Sequence, residues 1–286
     1  MNEDWGTYLE AFRAEETARA FRGCPEKVFD RGLELGAGSG TQSRYIAAYV
    51  RSLVSTDLNS NRLVRGSFPG IEYQICDAER VGERFSPASF DLVFASNLFE
   101  HLLSPQRALE GIRTVLAPGG IVILVMPNAL WKFFSLVGFY PNAVRLMWRA
   151  LVRGRLRVLM RRYLKSNADA AHEKRVGNNL KSEEARSHRS GILWPVPHGA
   201  YATHRDEFRQ YRKRRWLREF ENAGFETVAV RRGPVSSGYG FGLRPLARLL
   251  EMIGVTTEYI YILHVRGTAS AYARYWRSQN PTMDES

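Results

Sequence analysis

The chain is poor in cysteine and has no long apolar run. Cys24 and Cys76 are its only cysteines in 286 residues, too few for a disulfide scaffold or a multi-cysteine zinc or iron–sulfur site. Two isolated thiols fit a reducing compartment without requiring one. No stretch reaches the roughly 18–20 consecutive apolar residues of a membrane-spanning helix. The most apolar segment, residues 129–140, is bracketed by Pro127 and Pro141, which are expected to break it. Residues 1–15 contain Glu3, Asp4, Glu10 and Glu15 and no apolar run, so no secretory leader is expected there. Apolar residues make up 44% and charged residues 24%, which excludes wholesale disorder. At roughly 150 residues per domain the length admits one large α/β domain, or one domain with a sizeable insertion.

The net charge of +12 is unevenly spread. Residues 1–128 hold 13 Lys+Arg against 16 Asp+Glu, whereas residues 129–286 hold 28 against 13. The basic half should meet negative charge: phosphate, an acidic glycan, nucleic acid or an anionic membrane surface.

Periodicity predicts an amphipathic helix over 4–22, ended by Gly23 and Pro25. Strand Val28–Leu35 runs into Gly36-Ala37-Gly38-Ser39-Gly40, and a helix is expected from Thr41 to about Arg51. Further strands read as Leu53–Thr56, Ile71–Cys76, Phe90–Ala95 and Ile121–Met126, with helices at 59–67 and 104–116, the latter capped by Pro118-Gly119-Gly120. The pattern breaks at Asn128 and resumes with helix 214–223, strand Phe225–Arg231, helix Arg244–Ile253 and strand Glu258–Val265. Strands alternating with helices imply βαβ units and a parallel, Rossmann-like, doubly wound α/β sheet. The expected organisation is a helical cap at 1–27, a sheet domain from 28–128 and 214–267, a basic, mainly helical insertion at 129–213, and a frayed tail at 268–286.

A strand–turn–helix with three glycines lets a ligand approach the backbone. Asp57 follows Gly36 by 21 residues and closes the next strand, where a carboxylate can hold both ribose hydroxyls of a nucleoside. Asp77 closes the third strand in the same way. The loop lacks the last glycine of the dinucleotide fingerprint, since the spacing is G-x-G-x-G. Glu34 beside it would repel a pyrophosphate but can bind an ammonium group.

Leu33-Glu34-Leu35-Gly36-Ala37-Gly38-Ser39-Gly40 resembles the first motif of class I S-adenosylmethionine-dependent methyltransferases. Asp57 matches the ribose-binding acid of that family, Cys76-Asp77-Ala78-Glu79 its adenine-contacting segment, and Phe90–Asn97 its fourth-strand motif. Glu100-His101-Leu102 and Leu116-Ala117-Pro118-Gly119-Gly120 resemble segments of the small-molecule branch, the type 11, ubiquinone/menaquinone-biosynthesis-like group. The resemblance covers about 28–128 and 214–266. It implies a seven-stranded sheet with the last strand antiparallel, S-adenosyl-L-methionine as cofactor, and contacts to it from Glu34, Gly36, Ala37, Gly38, Gly40, Asp57, Leu58, Asp77, Ala78 and Asn97.

The acceptor is less constrained. Ser96-Asn97-Leu98-Phe99 departs from the N/D-P-P-Y/F segment of enzymes that methylate adenine amino groups, and neither cysteine fits a cytosine-C5 nucleophile. His101, at the rim of the crevice, is the best candidate base, because imidazole titrates near neutrality; a helix-capping role is the alternative. Some branches resemble E-x-x-E-H here and bind a metal, but Asn97 replaces the first acid, so no metal is expected. His198, in Trp194-Pro195-Val196-Pro197-His198-Gly199, suits an active-site lid as well as a rigid turn, and Tyr239 suits a surface loop better than a substrate contact. O-methylation of a small molecule, glycan or lipid-linked glycoconjugate is expected, with an RNA methyltransferase or a non-catalytic cofactor-binding protein as rivals.

Residues 145–165 carry eight basic residues and no acid. Arg145, Arg149, Arg153, Arg157 and Arg161 recur every four residues, a slowly drifting helical stripe. With the aromatic-rich 129–140 before it, this reads as an interfacial anchor on an anionic membrane, against a structural lid or a nucleic-acid patch. The expected location is cytoplasmic, with peripheral attachment at the inner face of the membrane as the alternative. Residues 166–192 read as a polar linker.

Overall fold

A computed structural model describes residues 5–59, 68, 70–152, 203–236 and 244–277. The elements are α1 (Trp5–Ala20), β1 (Phe29–Leu35), α2 (Ser43–Ile46), β2 (Val50–Asp57), β3 (Ile71–Ile75), α3 (Val81–Arg84), β4 (Phe90–Ser96), α4 (Pro105–Val115), β5 (Leu116–Pro127), α5 (Ala129–Val152), α6 (His204–Gln210), α7 (Lys213–Asn222), β6 (Phe225–Arg232), α8 (Arg244–Met252), β7 (Glu258–Val265) and α9 (Arg274–Arg277). Short 3-10 turns cover Ala78–Arg80 and Phe99–His101.

The seven strands form one sheet in the order β3-β2-β1-β4-β5-β7-β6. β1 to β5 are parallel, and β7 runs antiparallel between β5 and β6. The sheet is therefore Rossmann-like and doubly wound, with the reversed last strand that the sequence implied. Alternate residues of β4 feed opposite layers. Val93 and Ala95 join Leu33, Leu109, Ile112, Trp216 and Phe220 on one face. Leu92 and Phe94 join Phe21, Phe29, Ile123, Ile262 and Trp276 on the other. Burial on both faces explains why these strands read as apolar runs rather than alternating ones.

Several boundaries differ from the expectation. The helix after the glycine loop is only Ser43–Ile46, because β2 already begins at Val50, paired with Phe29. Gly32 permits this: a Cβ there would stand 2.8 Å from Val50 Cγ1. Pro118-Gly119-Gly120 lies inside β5 rather than capping a helix. The β4–β5 register shifts at that point, and Gly119 takes φ +76° against the Ala269 carbonyl. α5 continues through Pro141 instead of stopping before it. The hydrogen bond that proline forfeits belongs to the carbonyl of Val137, on a face where both residues are exposed and water can reach it. The tail is not frayed over its described part. Trp276 is buried and donates Nε1–H to the Ala20 carbonyl (2.8 Å), and Tyr272 Oη bonds Asp91 (2.9 Å). The expected helix at 59–67 and linker at 166–192, with most of the arginine stripe, lie outside the described residues.

The two described ends of the insertion meet in a buried ion pair. Lys132 Nζ of α5 lies 2.5 Å from Glu207 Oε2 of α6, and His204 Nδ1 lies 3.1 Å from the same oxygen.

Candidate active site

The carboxyl ends of β1, β2, β4 and β5 share one edge of the sheet, which is where open α/β sheets bind ligands. The loop after β1 holds three left-handed glycines, Gly36 (φ +73°), Gly38 (φ +57°) and Gly40 (φ +73°). A Cβ on Gly36 would press on Leu98, 3.0 Å away, while one on Gly38 would face open space. The open side of the loop is thus at Gly38. Ala37 N–H is bonded to the Thr56 carbonyl (2.8 Å), which ties the loop to β2.

Asp57 ends β2 and holds the loop in place. Its Oδ2 accepts Gly38 N–H and its Oδ1 accepts Asn59 N–H, both at 2.8 Å. Each oxygen keeps a further lone pair for a ribose hydroxyl. Leu58 beside it is 71% exposed and Ile75 at the end of β3 is 57% exposed. These bare apolar side chains next to an anchoring carboxylate suit a flat adenine. Asp77 Oδ1 caps the following turn by accepting Glu79 N–H (2.9 Å), and Ala78 is buried beneath it. Asn97 sits at φ +49° after β4, its Nδ2 donating to Ser96 Oγ (2.9 Å). Glycine loop, ribose acid, apolar shelf and fourth-strand turn therefore fit S-adenosylmethionine along one edge.

Glu34 is the penultimate residue of β1, beside the glycine loop. It is buried under the loop and accepts Ser55 Oγ–H (2.7 Å). Burial pushes its carboxyl up to about 7. His101 ends the turn after β4 with its side chain 43% exposed, and its Nε2 is 3.9 Å from Glu100 Oε1. His198 and Tyr239 lie outside the described residues. Among the described residues no three His, Cys, Asp or Glu side chains form a group able to hold a metal ion.

The residues that sequence reasoning missed come from α1. Glu16 is fully buried, and its Oε1 accepts Ser96 Oγ–H and Gln42 Nε2–H, both at 2.6 Å. Arg13 Nη1 bridges Glu16 Oε2 (2.7 Å) and Ser96 Oγ (2.8 Å). Beside them are two more buried acids. Glu258, the first residue of β7, has its carboxyl held well above the usual range by burial and by the Glu16 carboxylate. Glu100 is 1% exposed, with neither oxygen bonded to another side chain among the described residues. Burial pushes its carboxyl up to about 8, against the pull of the Arg13 charge. The available signal was polar residues at 13, 16 and 17 inside a helix otherwise read for its apolar stripe.

A parallel sheet with a reversed last strand, a glycine turn after β1 and an acid closing β2 define a domain that binds a nucleoside cofactor. Residues 33–124 match the family described as "Methyltransferase domain". This stretch of the chain is thus similar to a methyltransferase domain, and S-adenosylmethionine is the cofactor that such a domain implies. A ubiquinone biosynthesis O-methyltransferase of Paraburkholderia phymatum is 29% identical over 111 residues, 37% of this chain and 43% of that protein. A highly reducing polyketide synthase of Gibberella zeae is 26% identical over 121 residues, 37% of this chain but 5% of that much longer protein. The chain thus spans less than half of either relative. Among solved structures, a methyltransferase in complex with a methyltransferase activator of Haloferax volcanii superposes with TM-score 0.52 at 13% identity, covering 90% of this chain and 91% of that one. One assigned as an S-adenosylmethionine-dependent methyltransferase of Listeria monocytogenes gives 0.50 at 13% identity, covering 91% and 99%. These structural likenesses speak to the fold.

Proposed function

We propose that the protein transfers the methyl group of S-adenosylmethionine to a hydroxyl oxygen of a small molecule or glycoconjugate in the cytoplasm. The observation that carries the cofactor part is Asp57, preset by two backbone N–H groups beside an uncovered Leu58. When bound, the cofactor supplies a methyl carbon made electrophilic by a sulfonium. The chain's own residues do the rest. Asp57 accepts the ribose hydroxyls, Asp77 and Ala78 border the adenine, and the Gly36–Gly40 turn admits the methionine part without side-chain interference. Glu34, when ionised, contributes negative charge beside the loop.

His101 is exposed at the end of the same edge, where its imidazole can take the proton of an acceptor hydroxyl as the oxygen–carbon bond forms. The O-methyltransferase relative supports oxygen as the acceptor atom over its matched third of the chain. Calorimetry should show S-adenosylmethionine binding, and an absence of heat would remove the cofactor assignment. His101→Ala should lower turnover by roughly 10²–10⁴-fold at saturating cofactor, the usual span of a general base. Unchanged turnover would return the histidine to a structural role. Labelled cofactor added to fractionated cell extract separates the acceptor classes: label in glycan, lipid or a metabolite supports this reading, and label in RNA favours an RNA methyltransferase using the basic half.

A further inference from the structure

α5 is inside out. Its Lys132 is buried in the pair with Glu207, while its exposed residues are apolar. Leu130, Phe133, Val137, Tyr140, Val144 and Trp148 recur at steps of three or four, and all are 43–67% exposed. That spacing keeps them on one helical face. At about 1.5 Å per residue the stripe is roughly 27 Å long. A solvated helix would carry its charges there.

A second bare apolar face is carried by the helix before β7. On α8 and the residue after it, Leu246, Leu249, Met252 and Ile253 are 49–82% exposed. The two helices leave the sheet at one place: Asn128, just before α5, donates Nδ2–H to the Thr256 carbonyl (2.8 Å) and its N–H to the Thr257 carbonyl (2.9 Å), just after α8. Both apolar faces therefore begin at the carboxyl edge of β5, the edge that holds the Asp57 and Asn97 turns.

We propose that α5 and α8 together form a docking surface that seats the protein on an anionic membrane, with its candidate active-site edge toward the lipid. Charge selects this occupant. Arg145 stands on α5, and Arg248 is exposed on α8 among the bare leucines. In sequence, 145–165 adds seven more basic residues with no acid, within a half of the chain holding 28 Lys+Arg against 13 Asp+Glu. A second copy of so basic a surface would be repelled, whereas anionic headgroups are attracted, by about 1 kcal/mol per basic residue near the surface. The helix lies in the interface rather than across it, since no described helix is long and apolar enough to span a bilayer.

The surface goes beyond the proposed reaction and is tested without it. Full-length protein should sediment with vesicles of phosphatidylcholine containing a third phosphatidylglycerol, and release as salt rises, since exposed charges are screened beyond roughly 8–10 Å. Phe133→Glu combined with Trp148→Glu should weaken sedimentation more than about tenfold. Cofactor binding by calorimetry should stay at the wild-type value, which reports that the sheet edge is folded and keeps the two readings separable. Val144→Glu with Leu249→Glu provides a second pair should the first fold poorly. Equal sedimentation of wild type and both pairs would overturn the proposal, as would wild-type protein that stays in the supernatant. Salt-insensitive binding to neutral vesicles would overturn the choice of an anionic surface. A dimer seen by light scattering that the same substitutions disperse, without lipid binding, would replace the membrane by a second copy.

Discussion

Glu100 offers the sharpest test of how the site is built. Its carboxyl is 1% exposed, bonded to no other described side chain, and pushed up to about 8 from an ordinary 4.5. The folded protein therefore holds a proton on Glu100 over a pH range in which the unfolded chain has released it. More protons on the folded state means that stability falls as pH rises, beginning above the unfolded value near 4.5 and ending above about 8. The full shift corresponds to roughly 5 kcal/mol, and water entry around an ionised Glu100 brings a realistic loss to about 2–4 kcal/mol. Glu100→Gln keeps the shape and cannot ionise. Urea unfolding of both proteins at pH 5.5, 7 and 8.5 gives the measurement. The variant should gain on the wild type by about 2 kcal/mol or more between the two extremes. Glu34 and Glu258 add slopes of the same sign but are present in both proteins, so they cancel in the difference. Parallel stability profiles would show that Glu100 is solvated or charge-paired in solution, and the buried-acid description of this edge would fail.

Asp57→Ala removes the proposed ribose acceptor and frees the backbone N–H groups of Gly38 and Asn59. Calorimetry should show cofactor affinity weakened by about 10–100-fold, or 1.5–3 kcal/mol, and wild-type affinity would mean that the ribose lies elsewhere. Lys132→Met leaves the buried Glu207 carboxylate without its lysine and should cost about 3 kcal/mol in urea unfolding. Adding Glu207→Leu should recover most of that loss; a double variant as unstable as the single one would show that packing, not charge, sets the cost.

Much of the sheet was legible because burial on both faces writes strands as short apolar runs, and Glu258–Val265 was read to the residue. The turns were less so. Nothing local marks Val50 as a strand residue: it becomes one because Gly32, 18 positions earlier, leaves room for its side chain. Pro118-Gly119-Gly120 carries the composition of a helix stop, yet the β4–β5 register absorbs it as an irregularity in the strand. Pro141 misled in the same way, since the hydrogen bond it removes lies on a face open to water, which lowers the cost of continuing the helix.

The site divides along the same line. Spacing alone sets the glycine turn and Asp57 side by side, and Gly38 N–H does meet the Asp57 carboxylate. The burial of Arg13, Glu16, Glu100 and Glu258 together cannot be read that way, because each is unfavourable alone and acceptable only beside the others. They come from α1, the turn after β4 and the start of β7, and no linear pattern links positions so far apart. Their shared location explains why α1 belongs to the site rather than merely covering a core. A helix that only packed on the sheet would be better apolar at position 16, since a buried carboxylate lowers stability unless its partners are in place. Glu16 instead receives hydrogen bonds from Ser96 at the end of β4 and from Gln42 after the glycine loop. It thereby fixes the two turns proposed to border the cofactor to one another, and it does so from an N-terminal segment that carries none of the recognisable motifs.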